Sequence, residues 1–271
     1  MISITNKKKI SSYKLSKFRN QDKVFVVEGE KMVKELLETN LEIKTICATK
    51  QFILENKSLL ENYQTKKESY NFSMEEKKNE EFNLFEVTLG ELEQISSLKT
   101  PNNVLAIIGF MEEKEVVFKE KLTLILDDIS NPGNLGTIIR IANWFNIENI
   151  ICSLNTVDKY NPKVIQASMG SIFRVNIIYR DLLSLISSLK DSLSIYGALV
   201  NEGENIYKAD LKDEGLIVIG SESFGINEKL IPYINNPINI PNFNSENKAE
   251  SLNASVATGI IVSEFQRKRF L

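Results

Sequence analysis

What most limits the fold of this chain is the pattern that begins after Lys121. Short apolar runs recur at Leu122–Leu126, Asn149–Ser153, Val175–Tyr179, Ile195–Val200, Leu216–Gly220 and Ile238–Ile240, and helix-like segments separate most of them. A strand that is apolar on both faces must be covered on both faces, and strands alternating with helices supply that cover. The pattern therefore predicts an α/β fold built on a parallel sheet. Ligands of such sheets bind beyond the carboxyl ends of the strands. The segments that follow the apolar runs are thus the first place to look for function.

The part before residue 111 reads as a smaller α/β unit of its own. Val24–Val27, Ile43–Ala48, Leu84–Val87 and Val104–Ile108 have strand character, and Leu89–Leu98 has helical character. Gly29–Leu37 is helical too, with Met32, Val33, Leu36 and Leu37 on one face. Residues 55–82 are rich in Lys, Glu, Asn and Ser, which predicts an exposed helix and loop. Glu112, Glu113, Lys114, Glu115, Lys119 and Glu120 mark residues 111–120 as a linker. The expected organisation is a domain over 1–110, a linker over 111–120 and a second domain over 121–271.

Composition removes whole classes of chemistry. Histidine is absent, which excludes Ser-His-Asp and Cys-His hydrolase mechanisms and histidine-rich zinc sites. Cys47 and Cys152 are too far apart in sequence for a disulfide framework or metal-site spacing, so no metal is expected and a reducing cytoplasm is the simplest setting. No apolar run approaches the roughly 20 residues that cross a bilayer, and no membrane association is expected. Nor does an apolar stretch follow the first lysines, so no secretory signal is expected. The net charge is −3, yet residues 1–23 carry Lys7, Lys8, Lys9, Lys14, Lys17, Arg19 and Lys23 against Asp22 alone. Such a segment either follows a phosphate backbone or is a solvated basic tail.

Three segments carry candidate chemistry, each lying just after a predicted strand. Asp127–Ala142 contains a Pro-Gly turn and a helix predicted to begin near Leu135, with Ile138, Ile141, Ala142 and Phe145 as its packing stripe. Arg140 lies off that stripe and Asn134 is placed to cap the helix. The segment lacks the Gly-Lys-Ser/Thr ending of a phosphate-binding P-loop. The second segment, Val218–Ile226, has Glu222 between Gly220 and Gly225. The third runs from Ile238 to Phe243 and then from Glu250 to Ile260, with Ser251 and Asn253 as candidate caps of the last helix. Each alone is better explained as structure: a cap, a surface arginine, a strand-to-helix turn, a tightly packed helix.

Taken together and in order, Asn-Pro-Gly-Asn-Leu-Gly-Thr-Ile-Ile-Arg, Gly-Ser-Glu-Ser-Phe-Gly and Ser-Leu-Asn-Ala-Ser-Val-Ala resemble the three motifs of the SpoU (TrmH) family of SPOUT RNA methyltransferases. The resemblance covers 121–271. Phe25–Gly29 and Ile95–Pro101 are similar to the L30e-like substrate-binding domain of the ribosomal-RNA members. It implies a SPOUT parallel sheet whose C-terminal part forms a trefoil knot, preceded by a small α/β L30e-like domain. It also implies a homodimer with the final helix at the interface. S-adenosylmethionine would sit in the knot, held at the positions matching Leu199, Val200, Asn201, Gly220, Glu222, Gly225, Ile240 and Leu252. One departure is a longer loop over 242–249, with Asn242 where the family commonly has Met.

The activity so implied is attack of an RNA ribose 2′-hydroxyl on the methyl group of S-adenosylmethionine. By the same resemblance Arg140 positions and activates the hydroxyl with help from a substrate phosphate, for which its planar fork is suited. Asn134 and Asn253 orient groups around it. Glu222 holds Arg140 or shapes the cofactor pocket, and Ser251 anchors the start of the last helix. The extra N-terminal domain favours ribosomal RNA over tRNA. Two further alternatives are a silent RNA-binding protein of the same fold and a nucleotide-binding oxidoreductase. The second lacks support, because no Gly-x-Gly-x-x-Gly follows the first strand of either half.

Overall fold

The structure is a computed structural model and describes residues 2–72, 83–200, 202–244 and 251–267, with the side chains of 67–72 left aside. By its internal contacts the chain divides into two compact units, Met1–Glu112 with Tyr160–Phe173, and Glu113–Lys159 with Arg174–Leu271.

The first unit opens with helices α1 (Ile4–Ser12) and α2 (Ser16–Asp22), followed by β1 (Val24–Glu28), α3 (Glu30–Leu37), β2 (Ile43–Ala48), α4 (Lys50–Glu55), α5 (Lys57–Phe72), β3 (Asn83–Glu86), α6 (Leu89–Ile95) and β4 (Val104–Gly109). The strands form one mixed sheet in the order β1-β4-β2-β3, where β4 is antiparallel to both neighbours and β2 is parallel to β3. The basic N-terminal segment is therefore helical, not a tail. Ile2, Ile10 and Tyr13 belong to the core beside Val24, Leu92 and Leu105. Three of its seven basic side chains are used internally. Lys7 pairs with Glu91 at 2.8 Å and Lys9 with Asp22 at 3.1 Å. Arg19 is 2% exposed and donates to the carbonyls of Tyr13 and Lys14 at 2.9 and 3.0 Å. Of the expected exposed segment 55–82, helix α5 extends to Phe72, and 73–82 lie outside the described residues.

The second unit holds β5 (Leu122–Leu126), α7 (Pro132–Trp144) and β6 (Asn149–Cys152). The chain then returns to the first unit for α8 (Pro162–Ser168) before continuing with β7 (Asn176–Tyr179), α9 (Leu182–Leu189), β8 (Ile195–Ala198), β9 (Glu204–Asn205), β10 (Gly215–Ile219), β11 (Asn236–Asn239) and α10 (Ala254–Arg267). Its sheet runs β7-β6-β5-β10-β8-β11-β9, and every pairing is parallel. This is the α/β architecture that the apolar runs predict. β5, β6 and β10 are buried along their whole length, as strands covered on both faces must be. All carboxyl ends lie along one edge, so the three candidate segments start from the same side of the sheet.

The excursion through Tyr160–Phe173 has no local signature in the sequence. Within the first unit the Tyr160 ring stacks between Phe25 and Phe110 at centroid distances of 4.5 and 4.2 Å, and its hydroxyl accepts from the Met111 backbone N–H at 3.0 Å. Val164 and Ile165 of α8 are buried as well. Burying side chains of this size contributes about 1.5–3 kcal/mol each, so a stretch lying between β6 and β7 in sequence helps to complete the first unit's core.

Candidate active site at the strand ends

Helix α7 starts at Pro132, not near Leu135, because Asn131 is its cap. The Asn131 side chain accepts from the backbone N–H groups of Gly133 and Asn134 at 2.8 and 3.3 Å, and proline at the first helical position needs no N–H partner. This releases Asn134 from the capping role expected of it. Its side chain is buried at the first turn and looks outward from the helix in both its donor and acceptor. Nδ2 donates to Glu222 Oε1, and Oδ1 accepts from Asn253 Nδ2 at 3.0 Å. A single amide thus links the segment after β5, the segment after β10 and the segment before α10.

Asn253 is fixed in turn by its own helix. Its Oδ1 accepts from Ser255 and Val256 backbone N–H at 3.0 and 3.3 Å and from the Ser255 hydroxyl at 2.7 Å. Asn253 therefore caps α10, and Ser251, the other expected cap, is exposed one residue before Leu252. Helices α7 and α10 run side by side in the same direction. Asn134 meets Asn253 at their starts, the Ile141 Cδ1 lies 3.6 Å from where a Cβ on Gly259 would stand, and Gln266 donates to the Phe145 carbonyl at 2.9 Å near their ends. Ile141 thus faces α10, while Leu135, Ile138, Ile139 and Ala142 form the fully buried face of α7. The two helix N-termini thus meet through the Asn134 amide, whose other side holds Glu222.

Glu222 sits on a closed loop. Ser221 and Gly225 exchange both backbone hydrogen bonds, at 2.9 and 3.0 Å, and Gly225 has φ +68°. The loop folds back so closely that a Cβ on Gly220 would stand 2.1 Å from the Gly225 carbonyl carbon, so only glycine fits there. Beyond the loop, the Asn227 backbone N–H donates to Asp127 Oδ2 at 2.7 Å. Asp127 is a contributor that the motif reading overlooked: from the end of β5 it pins the loop that carries Glu222. Burial pushes its carboxyl above the usual carboxylate range, the Asn227 N–H opposes the shift, and neighbouring Asp128 adds to it. The overlooked signal is the Asp127-Asp128 pair itself, two acids directly after an apolar strand.

Arg140 is exposed on α7 and, among the described residues, makes no hydrogen bond or ion pair. Glu222 thus holds Asn134 and not Arg140. Of the positions expected to hold a cofactor, Leu199 and Ile240 are half-buried, Val200 is 53% and Leu252 48% exposed, and Asn201 lies outside the described residues. The Leu199 N–H donates to the Ile238 carbonyl at 2.9 Å, tying the end of β8 to β11. Strands β10, β8 and β11 are neighbours, so their ends offer apolar side chains and backbone polar groups side by side. That set fits a cofactor with a flat heterocycle and a sugar. Among the described residues no cluster of acidic or Cys side chains could hold a metal ion.

Fold and site together define a SPOUT-type α/β protein. Residues 121–263, more than half of the chain, match the SpoU rRNA Methylase family, and residues 6–106 match the MRM3-like substrate binding domain. The chain belongs to the SpoU rRNA methylase family. It is 24% identical over 247 residues to the 23S rRNA (guanosine(2553)-2′-O)-methyltransferase RlmP of Bacillus subtilis, covering 91% of this chain and 90% of that one. It is 31% identical over 174 residues to the 23S rRNA (guanosine-2′-O-)-methyltransferase RlmB of Blochmanniella floridana, covering 64% and 61%. A TrmH-family structure from Porphyromonas gingivalis superposes with a TM-score of 0.81 at 28% identity, over 99% of each chain.

Proposed function

We propose that this protein transfers a methyl group from S-adenosylmethionine to a ribose 2′-hydroxyl of RNA, and that the RNA is ribosomal. The observation that carries the reading is the polar chain Glu222–Asn134–Asn253, which joins three sequence-distant segments at one sheet edge. The names of the relatives and the substrate-binding family matched by residues 6–106 support ribosomal RNA as the target.

Bound S-adenosylmethionine supplies an electrophilic methyl group. The ends of β8, β10 and β11 hold that cofactor through Leu199, Gly220, Ile240 and Leu252. Arg140, unpaired among the described residues, binds a substrate phosphate and fixes the ribose hydroxyl in line. The hydroxyl proton leaves to water or to the bound phosphate. Asn134 and Asn253 hold the site's polar groups in register, and Glu222 orients Asn134. Ser251 lies at the approach to α10, beside Leu252.

The reading includes a trefoil knot, supported by the placement of β10 between β5 and β8. It includes a homodimer on the α7–α10 face, supported by the 81% exposure of Trp144 and 51% exposure of Val256. The test combines a calorimetric titration with S-adenosylmethionine and a map of 2′-O-methyl groups in total RNA, ribosomal and transfer, from cells with and without the protein. One methyl site should vanish without the protein and return when purified protein and cofactor are added. Identical maps, or loss confined to tRNA, would refute the ribosomal reading.

A further inference from the structure

We infer that Phe224 is a stacking platform for an unpaired RNA base next to the methylated ribose, an inference that rests on the RNA methyl-transfer reading. Its ring is 92% exposed. A singly exposed aromatic ordinarily needs no explanation, but this one is held in place by a loop of the site. The Phe224 N–H donates to Ser221 Oγ at 3.1 Å inside the turn closed by Ser221 and Gly225. Asn227 is pinned to Asp127 on the far side of the turn. Phe224 is two residues from Glu222, whose carboxylate is bonded to Asn134. A rigid loop therefore presents an apolar ring to water at the edge where the chemistry takes place.

The ring's exposure also selects its ligand. A small cofactor bound in a pocket has most of its surface enclosed, and a ring this open encloses nothing. A polymer arriving from solvent can cover it. Sequence-tolerant recognition of single-stranded RNA works by splaying bases onto aromatic side chains. A base stacked on Phe224 would hold the strand on one side of the site while Arg140 holds a phosphate, fixing the intervening ribose.

The test uses the full-length protein, S-adenosylmethionine and undermethylated ribosomal RNA from cells lacking the protein. Phe224→Ala should raise the KM for RNA on the order of tenfold, with kcat at saturating RNA and cofactor affinity unchanged. Phe224→Tyr and Phe224→Trp should keep the wild-type KM. Phe224→Leu, apolar but without a ring, should behave like the alanine variant. An unchanged KM in Phe224→Ala, full activity in Phe224→Leu, or altered cofactor affinity would each overturn the inference. Wild-type protein that methylates no RNA would refute the proposed function and this inference with it. Active wild-type beside an indifferent Phe224→Ala refutes this inference alone.

Discussion

Both units hold a glutamate near the end of a strand, and the two carboxylates are used in opposite ways. Glu28, at the end of β1, is buried and accepts from the hydroxyls of Ser96 and Ser97 and from the Ser97 N–H at 3.0 Å. All its partners lie on one loop, between α6 and β4, so it fastens that loop to the sheet and completes a closed set. Glu222 is half-buried and bonded to an amide that reaches on to a third segment. The same side chain closes a structure in one unit and opens a site in the other. What separates them is whether the carboxylate's partners stay on one loop or reach across segments that the strand ends bring together.

The largest effect should come from Arg140, the exposed arginine of α7. Arg140→Ala should lower single-turnover methyl transfer by about 10²-fold or more, the scale of losing the alignment of a reacting hydroxyl. Cofactor affinity and unfolding midpoint should stay at wild-type values, because the side chain is exposed and makes no hydrogen bond or ion pair among the described residues. Arg140→Lys should fail as well, since a point charge lacks the guanidinium fork. Near-normal transfer by the alanine variant would make Arg140 an ordinary surface charge and erase the contrast between the two units.

A smaller effect of the opposite kind should follow from Glu28→Ala. It leaves two hydroxyls and one backbone N–H without their acceptor, at a cost of about 1–3 kcal/mol. Urea unfolding should register that loss while cofactor affinity stays constant. A stable Glu28→Ala variant with weakened cofactor binding would show that Glu28 does not act as a fastening.

The sheet and the three motifs were legible because both depend on local pattern. Buried parallel strands demand continuous apolar runs, and β5 and β10 supply them. Roles assigned to single residues were less legible wherever neighbours competed for them. Asn131 and Asn134 are both able to cap α7, and Pro132 was the cue that favours Asn131. Ser251 and Asn253 competed likewise at α10, and Asn253 holds the cap. The lysines of residues 1–23 mask the apolar spacing of Ile2, Ile10 and Tyr13, so the tail alternative misses a helical pair. The docking of Tyr160 between Phe25 and Phe110 joins positions far apart in sequence, and no local pattern encodes it.

The central claim is that Asn134 and Asn253 act as one unit in methyl transfer, through the 3.0 Å bond between them. A double-mutant cycle with Asn134→Ala, Asn253→Ala and the combined variant measures this directly, read as single-turnover rate at saturating cofactor and RNA. Residues that work as a unit lose most of their effect together, so the double variant should be scarcely slower than the slower single variant. If the two losses simply multiply, the side chains act independently and the polar chain across the three segments is not the organising element of the site.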